Sequence, residues 1–338
     1  MNRLIIEDYE TVQTDPGTQA LNDQVKDLTI CTVAYNSADW IHLNARLVNV
    51  LNPNTNYHWI IVENSPPESA KRIFTPMTPN MSIVEGAEIE PDHYAVPSYH
   101  HGSGLNIGIQ GVNTRYLLVL DPDFYIIQKG WIASVLQYML QNQIDILGAP
   151  WHPSRYKKWR YFPCAHCTFY DLKHVKKETL DFRPDYDAHP KLDKKHKGVQ
   201  KKFFKSIDPL KLRNRRHIGH SADTGYRIQV AYKKSSVRNE CFAPVFSPSI
   251  FSRLFNLPFS DRMSLLPKKP GYYSEVDFAH AGLPDFRQAG CEEFFWNGNP
   301  FGFHVRSFPK LTKASDSLSI ILQYTDQFIT STEDDKLA

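Results

Sequence analysis

Residues His101 to Asp123, HGSGLNIGIQGVNTRYLLVLDPD, give the strongest indication of the fold, because a glycine-bearing polar segment leads into an apolar strand that ends in two carboxylates. Acidic groups at the C-terminal end of a strand lie where open α/β sheets bind their ligands. Asp121 and Asp123 point to the same side, because residues i and i+2 of an extended chain do so. Paired carboxylates suit Mg²⁺ or Mn²⁺, which share their remaining positions with a substrate's phosphates. A solvated Asp-Pro turn is the competing interpretation.

On both sides of this stretch, strand-like and helix-like segments alternate. Apolar runs predict strands at 28–35, 57–65, 81–86, 116–120 and 144–150. Helical spacing predicts helices at 38–52 and 131–141, and a short helix or turn at 104–112. The alternation predicts an α/β fold with a mostly parallel, Rossmann-like central sheet and helices on both faces.

The chain divides into three parts by its pattern. Residues 1–26 are polar without periodicity, which predicts an N-terminal extension. Residues 27–150 carry the regular alternation. Residues 151–338 are irregular and rich in prolines, aromatics and charges, so we expect them to hold the site of a second substrate.

Composition indicates a globular protein, with 22% charged and 41% hydrophobic residues among 338. The apolar runs fall short of the roughly 18 to 20 residues that a membrane-spanning helix needs. The sequence therefore predicts a cytoplasmic protein, at most peripheral to a membrane. Five cysteines form an odd and sparse set, which favours reduced thiols over disulfides. Cys164 and Cys167 have the C-x-x-C spacing of redox and zinc sites, but their aromatic, strand-like surroundings favour buried structural cysteines.

Segment 191–216 contains eleven Lys or Arg and two Asp. Such a run is either a solvated, flexible face or a surface that attracts a polyanion through counterion release. The second reading makes the chain a nucleic-acid-binding protein, or gives an enzyme an anionic acceptor.

The first half of the chain resembles the GT-A glycosyltransferases, and within them the inverting family 2. The resemblance rests on an ordered set of motifs: TVAYN, IVENS, GLNIGIQ, LLVLDPDF, CEEFFW and FGFH. It implies a GT-A fold in which 27–150 is the nucleotide-sugar-binding half and 151–338 the acceptor-binding and catalytic half. It also implies a metal-dependent transfer, with inversion, from a nucleoside-diphosphate sugar to the hydroxyl of a glycan, glycolipid or other acceptor.

The resemblance assigns a divalent cation, Mn²⁺ or Mg²⁺, to the acidic motif. Asp123 would be the main metal ligand, and Asp121 would contact the metal or the ribose. His304 sits where many GT-A enzymes return a histidine as a further ligand of the metal or the diphosphate. Such an ion stabilises a departing nucleoside diphosphate as a Lewis acid.

The resemblance also implies a set of donor contacts. Thr32, Ala34, Tyr35 and Asn36 would line the pocket for base and ribose, and Glu63 would accept a hydrogen bond from the base. The small-residue stretch with Gly104 and Asn106 would lie beside the diphosphate and sugar, where backbone N–H groups can approach phosphate oxygens.

The resemblance places the catalytic base in an acidic pair that opens a helix in the second half. Glu292 and Glu293 match that pair, with Glu293 as the base and Glu292 orienting or replacing it. Ordinary acids stabilised by the helix dipole are the alternative. Asp223, in HIGHSADTGYR, is a candidate for binding acceptor hydroxyls. A nucleotidyltransferase is a further alternative. Such an enzyme usually has a basic, glycine-rich loop after the first strand, whereas TVAYNSADW is neither basic nor glycine-rich.

Overall fold

The computed structural model describes residues 28–53, 55–86, 97–153, 161–184, 224–232, 235–246, 272–288 and 290–305. The predicted N-terminal extension and segment 191–216 lie outside these residues.

Two sheets and four α-helices make up the part of the chain that the structure describes. The strands are β1 (Leu28–Ala34), β2 (Tyr57–Glu63), β3 (Met81–Glu85), β4 (Tyr116–Leu120), β5 (Phe124–Ile126), β6 (Ile146–Pro150), β7 (Pro163–Asp171), β8 (Asn239–Cys241), β9 (Ala243–Pro244), β10 (Cys291–Trp296) and β11 (Asn299–Val305). The helices are α1 (Ala38–Leu51), α2 (Pro97–Gly108), α3 (Trp131–Asn142) and α4 (Tyr226–Tyr232).

The central sheet has the order β3-β2-β1-β4-β7-β6-β8. Its pairs are parallel except where β7 runs antiparallel to both β4 and β6. The second sheet, β5-β11-β10-β9, is antiparallel. The predicted mostly parallel sheet is confirmed, and the second sheet joins β5, just after the acidic motif, to strands from the end of the described chain.

Helices cover both faces of the central sheet, as predicted. Along β1 the buried side chains alternate: Ile30 belongs to one hydrophobic cluster, and Cys31 and Val33 belong to the other. Helices α1 and α3 pack in the first cluster, and α2 and α4 contribute to the second. Both faces of β1 are therefore buried, which explains why its sequence reads as a continuous apolar run.

Helix α2 starts at Pro97, earlier than the short segment predicted at 104–112. Its face toward the sheet is built from glycines, so hydrophobic spacing does not reveal it. At Gly108, a Cβ atom would lie 2.4 Å from Cys31 Sγ on β1 and 2.8 Å from Val62 Cγ2 on β2. The glycine allows the helix backbone to approach these two strands closely.

Replacing Gly108 with alanine should therefore destabilise the fold. Overpacking a core costs about 1–3 kcal/mol, against a gain of about 1 kcal/mol in helix propensity. The 2.4 Å approach to Cys31 Sγ puts the cost at the upper end of this range, so we expect a net loss of about 2 kcal/mol in the free energy of unfolding, measured from the urea midpoint. Ser103→Ala in the same helix is the control and should cause no loss. Equal midpoints for Gly108→Ala and the wild type would contradict the close approach.

The five cysteines are buried and none takes part in a disulfide, and the burial predicted for Cys164 and Cys167 is confirmed. Cys164 and Cys167 lie three residues apart on β7, so their side chains point to opposite faces of the sheet. This geometry does not suit two ligands of one ion. Burial raises the pKa of the Cys31 thiol to about 12, so that thiol is unreactive at neutral pH. Among the residues described, no helix has the length and apolar character needed to cross a bilayer.

Candidate metal and donor site

Asp121 and Asp123 lie in the turn between β4 and β5. The N–H of Asp121 donates to the carbonyl of His166 (2.9 Å), and the N–H of Phe124 donates to the carbonyl of Asp121 (3.1 Å). On the other side, Val305 N–H donates to the carbonyl of Asp123 (2.8 Å). Both sheets thus fix the backbone of the turn and aim its two carboxylates at one place.

His304 completes a three-residue cluster with these acids. It lies on β11 opposite Phe124 of β5, which brings together side chains 181 residues apart in sequence. Its Nε2 is 3.2 Å from Asp123 Oδ1 and 4.0 Å from Asp121 Oδ2. One ligand atom from each of the three residues lies within 4.8 Å of the other two. The structure therefore brings together the three predicted metal ligands.

The chemistry of the cluster fits a divalent cation. Two carboxylates supply the oxygen ligands that Mg²⁺ and Mn²⁺ prefer, and the neutral imidazole supplies a nitrogen. The Asp121 and Asp123 side chains are 20% and 38% exposed, whereas that of His304 is 2% exposed. The acids can therefore be reached from solvent, which leaves room for oxygens of a second molecule.

Two further histidines surround the cluster. Nε2 of His101, on α2, is 3.1 Å from Asp121 Oδ1. His166, on β7, stacks on the ring of His304 with centroids 4.7 Å apart at 20°. Sequence analysis identified neither of them. The sequence around His101 or His166 has no pattern that predicts a ligand, because each residue reaches the site only through the packing of elements that are distant in sequence.

Glu292 and Glu293 lie on strand β10, so the prediction that this pair opens a helix was wrong. The three aromatic residues that follow favour a strand, and the segment pairs with β11. Because adjacent residues of a strand point to opposite faces, the two carboxylates are separated. Glu292 Oε2 is 3.8 Å from Nδ1 of His304, so it faces the cluster of Asp121, Asp123 and His304.

Glu293 points away from this three-residue cluster and is 0% exposed. Its carboxylate accepts hydrogen bonds from the N–H groups of Phe278 (3.1 Å) and Phe286 (2.9 Å). Burial raises the pKa of Glu293 to about 7, although the guanidinium of Arg287, 3.8 Å away, opposes the shift. The carboxylate predicted as the base therefore binds a loop in this structure and has no exposed surface.

The predicted donor residues of the first two strands differ in exposure. Thr32 is buried, and its hydroxyl accepts a hydrogen bond from Trp59 Nε1 (3.0 Å). Ala34 is also buried, whereas Tyr35 is 59% exposed. Asn36 is exposed and has a positive φ of 52°. Tyr35 and Asn36 are thus the members of TVAYN whose side chains a ligand can reach.

Glu63 and the α2 residues make protein contacts. The two carboxylate oxygens of Glu63 accept from the N–H groups of Ser65 and Ile73, each at 2.7 Å. Asn106 Nδ2 donates to Asp181 Oδ1 at 2.9 Å. A Cβ at Gly104 would lie 2.9 Å from Asn64 Nδ2. Asp223 lies outside the described residues.

Residues 29–191 match the family model described as glycosyl transferase family 2. The match covers 163 of the 338 residues, a little under half of the chain. The match confirms the resemblance and the GT-A fold predicted from the sequence. The matched residues include Asp121 and Asp123, whereas Glu292 and His304 lie beyond them.

Solved structures with similarity to the chain include three glycosyltransferases. Mannosyltransferase PcManGT from Pyrobaculum calidifontis, in complex with GDP-Man and Mn²⁺, is 11% identical, with a TM-score of 0.32 over 46% of this chain and 49% of that chain. TarS 1-349 from S. aureus, in complex with UDP-GlcNAc, is 15% identical, with a TM-score of 0.33 over 46% and 48%. Galactosyltransferase LgtC, in complex with donor and acceptor sugar analogs, is 10% identical, with a TM-score of 0.34 over 72% and 85%.

The chain spans about half the length of the mannosyltransferase and TarS structures. No curated protein sequence matches the chain.

Proposed function

We propose that the protein is a metal-dependent glycosyltransferase that moves a sugar, with inversion, from a nucleoside-diphosphate sugar to an acceptor hydroxyl. The observation that carries the proposal is the convergence of Asp121, Asp123 and His304 from two sheets at the C-terminal end of β4. A cluster of this kind beside a sheet edge is where an α/β fold binds a phosphate-bearing ligand. The match of residues 29–191 to the family 2 model supports the same class of reaction.

In this proposal, Asp123, Asp121 and His304 hold Mn²⁺ or Mg²⁺. The bound cation supplies Lewis-acid stabilisation of the negative charge on the departing nucleoside diphosphate. The exposed ring of Tyr35 offers a face on which a base can stack, and Asn36 offers an amide beside it. Residues 27–150 then bind the donor, and residues 151–338 bind the acceptor and contribute to catalysis.

An inverting transfer also needs a base that takes the proton of the acceptor hydroxyl. The candidates predicted from the sequence for this role are Glu293 and, orienting or replacing it, Glu292. A variant of the true base would lose transfer but keep its metal affinity, because the base acts on the acceptor and not on the cation. This criterion separates a base from a residue that supports the metal.

The proposed acceptor is a glycan, glycolipid or other molecule with a free hydroxyl. Segment 191–216 favours an anionic acceptor, because its excess of Lys and Arg attracts negative charge. Binding of nucleic acid is the alternative use of the same segment, and a steep dependence of DNA affinity on salt would identify it. A cytoplasmic location remains a prediction from composition.

A thermal-shift screen of nucleoside diphosphates and nucleotide-sugars, with and without Mn²⁺, tests the proposal. A ligand present at 100 times its Kd stabilises the native state by about 2.7 kcal/mol, which corresponds to several degrees in Tm. We expect one nucleotide to raise Tm in the presence of the metal and to lose most of this effect without it. Asp123→Asn should abolish the metal-dependent part. Equal shifts with and without Mn²⁺, or no shift with any nucleotide, would contradict the proposal.

A further inference from the structure

We infer that Glu292 is a positioning residue of the metal centre, whose carboxylate holds the imidazole of His304 with Nε2 toward the cation. The inference rests on the proposed function, because it requires a cation at Asp121, Asp123 and His304. It gives Glu292 the role of orienting the metal ligand His304, and not the role of taking the proton from the acceptor hydroxyl.

Strand pairing places the two side chains together. Glu292 and His304 are directly opposite each other in the antiparallel pair of β10 and β11. Cβ atoms of directly opposed residues lie about 4.5–5.5 Å apart, so their side chains share one face of the sheet. The Glu292 and His304 side chains are 6% and 2% exposed, so the contact is shielded from water.

The two nitrogens of the His304 ring face different partners. Nε2 faces the acids, at 3.2 Å from Asp123 Oδ1, whereas Nδ1 faces Glu292 Oε2 at 3.8 Å. A carboxylate on the Nδ1 side favours the tautomer that carries its proton on Nδ1, which leaves the lone pair of Nε2 for a cation. The present 3.8 Å exceeds hydrogen-bond length, and the inference includes closure of this contact when a cation fixes Nε2.

Aromatic neighbours restrict the plane of the His304 ring. His166 stacks on His304 at 4.7 Å, and Phe124 lies 5.8 Å away at 44°. The stacking fixes the plane of the ring but does not choose between its two nitrogens, because a flip about the Cβ–Cγ bond preserves the plane. A polar partner on one side supplies that choice, and Glu292 occupies that side.

Glu292 is not itself part of the ligand set. The three residues whose ligand atoms lie within 4.8 Å of one another are Asp121, Asp123 and His304. Glu292 approaches the nitrogen of His304 that does not face Asp123. Its effect on a cation would therefore pass through the imidazole, and outer partners of this kind change metal affinity by about 10–100-fold when they are replaced.

The test measures Mn²⁺ binding to the full chain without donor or acceptor, from the electron paramagnetic resonance signal of free Mn²⁺. We expect Glu292→Gln to weaken binding about tenfold, because the amide oxygen still accepts from Nδ1 but lacks the charge, and Glu292→Ala to weaken it up to about 100-fold. Glu293→Gln is the matched control: it changes the adjacent buried carboxylate on the opposite face and should leave Mn²⁺ affinity unchanged. The nearly isosteric Gln variant keeps the test valid if the Ala variant does not fold.

The outcomes separate the inference from the proposed function. If Glu292→Gln and Glu292→Ala bind Mn²⁺ as the wild type does, the inference is overturned, and loss of transfer alone would identify Glu292 as the base. If the wild type does not bind Mn²⁺, or if Asp123→Asn binds it equally well, the metal part of the proposed function fails. Nitrogen chemical shifts of His304 provide a second readout, because the tautomer with its proton on Nδ1 should lose population in Glu292→Ala.

Discussion

Replacing Asp123 with alanine is expected to abolish Mn²⁺ binding and to lower sugar transfer roughly 1000-fold. A Lewis-acid cation contributes several kcal/mol of charge stabilisation, and each 1.36 kcal/mol corresponds to a factor of ten in rate. Asp123 supplies the carboxylate oxygen that lies nearest to Nε2 of His304, at 3.2 Å. Without it, the remaining aspartate and histidine offer an ion too few ligands to compete with water.

The measurement combines single-turnover transfer with a titration of Mn²⁺. The fold should survive the change, because the contact between Asp123 and Val305 is made by the backbone carbonyl, which alanine retains. Asp39→Ala is the control, since Asp39 lies on α1, its side chain is 61% exposed and its ion-pair partner is Lys71. An Asp123→Ala protein that transfers sugar at the wild-type rate in chelator would refute the metal role.

The central sheet was predictable because its strands are buried on both faces. Strands such as β1 and β4 are fully buried along their length and read as unbroken apolar runs in the sequence. Helix α2 was less predictable, because Gly102, Gly104 and Gly108 face its neighbours and leave no hydrophobic stripe. The insertion of β7 between β4 and β6 depends on tertiary pairing that no local pattern encodes.

The candidate site was predictable only in part, for a similar reason. Asp121 and Asp123 could be predicted as site residues, because they stand at the end of an apolar strand. Glu63 accepts a hydrogen bond from the N–H of Ile73 because the chain folds back ten residues later, and local sequence does not predict this contact. The separation of Glu292 from Glu293 follows from strand geometry, so it could not be predicted while the segment was expected to be a helix.

Replacing Glu293 with alanine is expected to destabilise the protein by about 2–6 kcal/mol. The substitution removes the acceptor of two buried backbone N–H groups, those of Phe278 and Phe286, and an unsatisfied buried donor costs about 1–3 kcal/mol. Urea denaturation followed by circular dichroism measures the change. Glu240→Ala is the control, because that glutamate makes its contact with Tyr138, which is only partly buried. Equal losses for the two variants would show that Glu293 does not anchor the loop.

The same carboxylate should make stability depend on pH. The pKa of Glu293 is raised from 4.5 to about 7, with burial as the main cause. Between these values the folded state binds more protons than the unfolded state, so the free energy of unfolding falls as pH rises from about 4.5 to about 7. Glu293→Gln cannot titrate and should lack this part of the slope, so its deficit relative to the wild type should be larger at pH 5 than at pH 8. Parallel stability curves for the two proteins would show that Glu293 titrates at its ordinary pKa, and the buried carboxylate would then be ionised and held by the two N–H groups and Arg287 throughout the neutral range.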